Sequence, residues 1–218
     1  MRGDTIIIEP HHRAAAAAIL PMIAPKIQAS QGKYALTVAG ESGSGKSETA
    51  TAIAELLAAR QIAAVILQQD DYFVYPPKSN DRTRRKNIGW VGPQEVKLDL
   101  LDEHLRQFLS GADSIEKPLV IYEDDHIDRE TLALKAAAVA IAEGTYTTLL
   151  DNAGTRIFID RSYQDTRAHR EKRKRDAAEL DPFLDKVLRI EHGIISAHKA
   201  RADIVIGNDY RVTEVKRS

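Results

Sequence analysis

The chain contains no cysteine. Disulfides, cysteine nucleophiles and thiolate metal sites are therefore excluded, and the composition suits a reducing compartment. An excess of charge is also missing: the formal net charge is -1, which removes any global electrostatic case for nucleic acid or membrane. Long apolar runs are absent too. The stretch Thr5–Ile23 is apolar only in pieces, interrupted by Glu9, His11, His12 and Arg13 and broken by Pro10 and Pro21. That is neither a membrane span nor the unbroken apolar segment of a signal peptide, so a cytoplasmic location is the expectation. His11 and His12 read as surface residues. With 218 residues, 43% hydrophobic and 29% charged, the chain suits one well-filled soluble core.

What is present alternates between strand and helix. Thr5–Glu9 reads as a short strand and His12–Ala29 as an Ala-rich helix disturbed at Pro21 and Pro25. Continuous apolar runs at Tyr34–Ala39, Ala63–Gln68, Ala137–Ala142, Arg156–Asp160 and Asp203–Gly207 read as buried core strands. Pro118–Tyr122 reads as a short extended segment and Tyr210–Val215 as a terminal strand. Between them, helices are expected near Lys46–Ala59, Pro93–Leu109, Gln164–Leu180 and Phe183–Lys199, and Tyr72–Gly92 is expected as a long functional loop. The fold class that follows from the alternation is α/β, a doubly wound, mainly parallel five-stranded sheet with helices on both faces and a basic helical lid, and the segment Gly40-Glu41-Ser42-Gly43-Ser44-Gly45-Lys46-Ser47 makes it P-loop NTPase-type. Residues 1–33 would form an N-terminal extension packed on the core. Residues 34–218 would form the P-loop domain, with the lid around 164–181.

One motif decides the class. Gly40-Glu41-Ser42-Gly43-Ser44-Gly45-Lys46-Ser47 fits G-x-x-x-x-G-K-[ST], between an apolar strand and a helix. The glycines let successive N–H groups converge on one anion, and the helix N-terminus, with Glu48 in its first turn, adds partial positive charge. Lys46 would bridge the β- and γ-phosphates of ATP, and the Ser47 hydroxyl would bind Mg²⁺. The loop alone separates a kinase neither from a GTPase nor from a motor or regulatory ATPase, although no Asn-Lys-x-Asp base-reading motif is present.

Asp70 and Asp71 fall at the carboxyl end of the second core strand, where ligands bind in open α/β sheets. A carboxylate there can take or orient the proton of an acceptor hydroxyl; the plainer alternative is an Asx turn. Glu143 ends the strand beside the P-loop strand and reads as a ligand to Mg²⁺-bound water or to a substrate hydroxyl, so Ser47, Asp70 and Glu143 form the candidate metal set. Arg167, Arg170 and Lys174 share one face of a very basic helix, where mobile positive charge would cover the transferring phosphoryl group. Arg82–Lys86, including Arg84 and Arg85, is a second basic cluster that would suit an anionic acceptor or remain a solvated loop. Tyr72, Trp90 and Tyr122 are candidate walls of an acceptor pocket, with ordinary core packing as the alternative. His126 has no second histidine at ligand spacing, which argues against a zinc site.

These segments resemble the uridine kinase and phosphoribulokinase family across roughly residues 34–207. Gln69-Asp70-Asp71-Tyr72-Phe73 is similar to the family's Gln-Asp segment and also to nicotinamide riboside kinases. Trp90-Val91-Gly92-Pro93, Pro118–Glu123, Ala142-Glu143-Gly144, Asp165-Thr166-Arg167 with Arg175-Asp176, and Lys199–Ile206 resemble further family segments in the same order. The resemblance implies that Asp70 is the catalytic base, that Arg167, Arg170 and Arg175 belong to the lid, and that His126 and Arg129 contact substrate. Two departures count against a pyrimidine nucleoside. Val91 stands where uridine kinases use an Asp on the ribose hydroxyls, and Ala177-Ala178-Glu179-Leu180-Asp181 replaces their Arg-Gly-Arg turn. The expected activity is ATP-dependent phosphorylation of a hydroxyl on a small, anionic metabolite. Uridine, cytidine or nicotinamide riboside kinase activity stays open beside it, as do a nucleotide-dependent switch and self-association. Nucleic-acid and membrane partners are not expected.

Overall fold

The computed structural model describes residues 6–30, 32–166 and 181–215. The strand that feeds the phosphate loop, β1 (Tyr34–Gly40), is buried at every position. Its apolar continuity is what a strand covered on both faces requires. Around it lie β2 (Ala64–Gln68), β5 (Val139–Glu143), β6 (Thr155–Ile159), β7 (Ile204–Ile206) and β8 (Val212–Glu214), in the order β2-β5-β1-β6-β7-β8. All pair in parallel except β8, which runs antiparallel to β7. The sheet therefore has six strands rather than five, because the terminal segment around Val212 adds an antiparallel edge. Residues 6–9, expected to be a strand, lie outside any sheet.

One face is covered by α1 (Pro10–Ala29) and α2 (Lys46–Ala58), whose Ile19, Ile23, Ile53 and Leu57 join Leu36, Val38 and Ile141 in one apolar cluster. α1 runs unbroken through Pro21 and Pro25. Both prolines lie on its exposed face, as does Ala17, so the carbonyls they free meet water instead of a dry core. On the other face, Leu101, Leu105 and Phe108 of α4 (Leu98–Leu109) pack against Ala35, Leu67 and Ala140. α5 (Pro182–Ile195) leads into β7. Among the described residues, no helix is long and apolar enough to cross a membrane.

Two features go beyond the sequence reading, which expected only a short extended segment at Pro118–Tyr122 in the second of them. The expected loop contains α3 (Pro77–Lys86), which has no apolar side chain to give it a helical period. The segment after α4 forms an antiparallel hairpin of β3 (Ser114–Ile121) and β4 (His126–Ala133), separate from the main sheet. The expected lid helix over 164–180 lies almost wholly outside the described residues.

Candidate active site

The phosphate loop joins β1 to α2. Gly45 is the N-cap of α2 in a left-handed conformation (φ 95°). A Cβ there would also stand 2.8 Å from Nε2 of His12, so glycine is required on both counts. Lys46 Nζ donates to the Glu41 carbonyl (2.9 Å), curling back over the loop. The Glu41 side chain looks outward from the loop: it accepts from the Tyr163 amide (2.7 Å) and pairs with His192 Nδ1 (2.6 Å). Ser42 accepts from Thr166 Oγ1 (3.0 Å). The loop is thus tied to the segment before residue 167 and to α5.

Ser47 Oγ donates to Glu143 Oε1 (3.0 Å). Burial first, and the neighbouring Asp70 carboxylate second, push the Glu143 carboxyl up to about 7; Lys46 and the Ser47 hydrogen bond oppose the shift. Two carboxyls that repel each other beside a hydroxyl and the phosphate loop form a donor set that a hard divalent cation would satisfy.

Asp70 lies in the short 3-10 turn Gln69–Tyr72 that follows β2. Its neighbours are all anchored. Gln69 Oε1 accepts from the Tyr146 amide (2.7 Å). The Gln69 side chain also packs on Gly144, where any Cβ would collide with it at 2.2 Å. Asp71 accepts from Lys117 Nζ (2.7 Å) and the Val120 amide (3.0 Å). Tyr72 is fully buried, with its hydroxyl 2.8 Å from His104 Nδ1. Asp70 alone of the four is left only partly buried. It opens on a cavity of about 160 Å³ lined by Phe73, by Pro77, Asn80, Asp81 and Arg84 of α3, and by Tyr122 at the end of the hairpin. A larger cavity, about 430 Å³, lies on the α2 side between Ser47, Glu143 and the hairpin residues Lys117, Leu119 and Glu130.

The sequence model of the Phosphoribulokinase / Uridine kinase family matches residues 35–180. The chain belongs to that family. It is 28% identical over 196 residues to the bifunctional alpha-galactosidase/sucrose kinase AgaSK of Mediterraneibacter gnavus, with 84% of this chain matched. The chain spans only 21% of that relative's length. It is 28% identical over 181 residues to the uridine kinase of Clostridium novyi (strain NT), covering 78% of this chain and 84% of the relative. The D-glycerate 3-kinase from Cryptococcus neoformans var. grubii serotype A has the same fold, with a TM-score of 0.62 at 12% identity over 95% of this chain and 100% of that one. These are kinases, phosphotransferases with a hydroxyl acceptor.

Within this family fold, several residues singled out from sequence have other work. Asp71 forms a buried ion pair with Lys117 under the hairpin and lines the larger cavity beside Ser47 and Glu143, not the Asp70 cavity. Tyr72 is core. The basic cluster sits on a helix, and its arginines are paired: Arg84 holds Glu95 through Nε and Nη2 (2.6 and 2.5 Å) and Glu191 through Nη2 (2.9 Å). Arg85 bridges Asp81 (2.7 Å) and Asp181 (2.5 Å). The acidic partners come from distant parts of the chain, which is why the cluster looks unbalanced in sequence. Trp90 does not line the Asp70 cavity; its Nε1 donates to Asn80 Oδ1 (2.8 Å) and so braces α3 from behind. His126 and Arg129 are exposed on β4, and Arg129 pairs with Glu116 (2.7 Å). Strand alternation turns Glu130, not Arg129, toward the larger cavity. His12 is fully buried at the phosphate loop, and the His11 ring lies 3.9 Å from that of Tyr210, so neither is a free surface residue. Arg167, Arg170 and Arg175 lie outside the described residues. Sequence reasoning missed Asn80, Lys117 and Asp125, none of which stands in a motif or periodic pattern.

Proposed function

We propose that this chain transfers the γ-phosphate of ATP to a hydroxyl of a small, uncharged, polyhydroxylated metabolite. The observation that supports it is the placement of Asp70: it lines a cavity beside α3 and the hairpin and stands close enough to Glu143, beside the phosphate loop, to raise that carboxyl's pKa. Lys46 and the loop amides hold the phosphates. Asp70 accepts the proton of the acceptor hydroxyl as the oxygen attacks phosphorus in line. Ser47 and Glu143, with Asp70 beside them, would hold Mg²⁺, which supplies neutralising charge on the phosphate oxygens when bound. From the sequence, Arg167, Arg170 and Arg175 are assigned to screening the charge that develops.

Neutrality of the acceptor follows from Arg84. It is the one cation among the described residues lining the Asp70 cavity, and two buried carboxylates already hold it. Asp70 and Asp81 add negative charge to the same walls. Among the described residues these walls therefore favour hydroxyls, which can donate to the carboxylates, over an anion. This replaces the expectation of an anionic acceptor. Val91 is buried and offers no hydrogen bond to a ribose, so uridine and cytidine should be poor acceptors.

A coupled ADP-release screen tests the reading, with sucrose, fructose and other neutral sugars and polyols beside uridine, cytidine, nicotinamide riboside and sugar acids. Turnover stimulated by a neutral polyol is the expected result. Stimulation confined to nucleosides or acids would overturn the acceptor class, and ATP hydrolysis indifferent to every acceptor would favour a nucleotide switch.

A further inference from the structure

The hairpin that carries Tyr122 is tied down at two levels. Midway along it, Lys117 Nζ donates to Asp71 Oδ2 (2.7 Å), to Glu130 Oε1 on the facing strand (2.7 Å) and to the Pro118 carbonyl (3.1 Å). Those contacts use all the donors of an ammonium group. The middle of the hairpin is therefore fixed against the turn that holds Asp70.

At its tip, Asp125 reaches across to α3. Its carboxylate accepts from the amides of Lys78 (2.7 Å) and Ser79 (3.1 Å), from Ser79 Oγ (2.7 Å) and from Arg82 Nη2 (3.1 Å). Lys78 Nζ returns a bond to the Glu123 carbonyl (2.9 Å). Lys78 and Ser79 are the second and third residues of α3, whose amides have no partner inside a helix. An N-cap side chain normally satisfies them. Here the N-cap is Pro76, which has no oxygen on its side chain, and no cap bond is made from within the helix. α3 also buries a single residue, Asn80, so packing does little to hold it. The cap comes instead from the opposite wall of the cavity. Partial burial raises the Asp125 pKa, but the Ser79 hydroxyl, the two amides and Arg82 outweigh it and keep the carboxyl below its ordinary value. Asp125 also sits in the left-handed region (φ 48°), which turns the hairpin tip toward the helix.

We propose that Asp125 is a positioning residue for the acceptor: by capping α3 from the hairpin it fixes the Tyr122 wall against the Asn80–Arg84 wall, and so sets how a hydroxyl is presented to Asp70. The inference rests on the reading of the Asp70 cavity as the acceptor site. Asp125 itself lines neither cavity.

Two substitutions separate positioning from simple helix stability. Asp125→Gly keeps the left-handed backbone and deletes the carboxylate. Asp125→Asn also tolerates that backbone and keeps a carbonyl oxygen to cap with. The full chain is assayed with sucrose, fructose, glycerol and uridine as acceptors, and acrylamide quenching of Trp90, the single tryptophan, reports whether α3 has come away. Asp125→Gly should raise the KM of the acceptor that is turned over by roughly five- to tenfold, the size of an N-cap's contribution. The ATP KM should hold, and Trp90 quenching should rise. Asp125→Asn should recover most of both. Increased quenching with an unmoved acceptor KM would make the cap purely structural and overturn the proposal, as would parallel rises in both KM values. Absence of acceptor turnover by the wild type is a different failure, since it removes the acceptor-site reading on which the inference stands.

Discussion

Ser47 at the end of the phosphate loop donates its hydroxyl hydrogen to Glu143 at the end of β5, across 3.0 Å. The contact joins the first turn of α2 to the carboxyl end of β5, the edge at which open α/β sheets bind their ligands. Burial and the Asp70 carboxylate raise the Glu143 carboxyl to about 7 from 4.5. A carboxyl with a raised folded pKa stabilises the fold fully below its unfolded value, and that contribution is lost as pH rises through about 7. In nucleotide-free protein, Glu143→Gln should therefore gain stability relative to wild type as pH rises from 4.5 to 7. Paired thermal melts across that range check it; a constant difference would refute it.

Lys46→Ala removes the cation of the phosphate loop, whose Nζ donates to the Glu41 carbonyl, and leaves the backbone of the loop in place. Turnover should be abolished and ATP binding weakened in titration calorimetry, while the melting temperature stays close to wild type.

Tyr72 and Arg129 were both candidates for substrate contact, and the structure separates them. Tyr72→Phe leaves the buried His104 Nδ1 without its partner and should destabilise by about 1–3 kcal/mol with the acceptor KM unchanged. Arg129→Ala, on an exposed surface pair, should alter neither stability nor kinetics. Denaturant melts with steady-state kinetics distinguish these outcomes.

Arg84→Met strands Glu95 and Glu191 in a buried site and should cost about 3–5 kcal/mol. Arg85→Ala breaks only exposed pairs and should be nearly silent in a urea melt. An Arg84→Met protein as stable as wild type would show that the two carboxylates do not depend on the guanidinium.

The sequence carried the phosphate loop, because that function needs small residues and one lysine at fixed local spacing, and spacing is visible in one dimension. It carried the core strands for a similar reason: strands buried on both faces read as apolar runs, as β1 does. Asp70 and Glu143 were legible because they stand at strand ends, where the topology of an α/β sheet concentrates ligands.

Tertiary structure decided what long-range pairing controls. Arg84 looks like an unbalanced cation until Glu95 and Glu191 arrive from 11 and 107 residues away. Asp71 looks like a substrate contact beside Asp70 until Lys117 arrives from 46 residues away and buries with it. α3 has no hydrophobic period, and its cap lies across the cavity on Asp125, so nothing local marks it as a helix. Local geometry and burial of apolar surface leave a trace in the order of residues. The partner that neutralises a buried charge, as Glu95 and Glu191 do for Arg84, or caps a helix from another element, as Asp125 does for α3, leaves none.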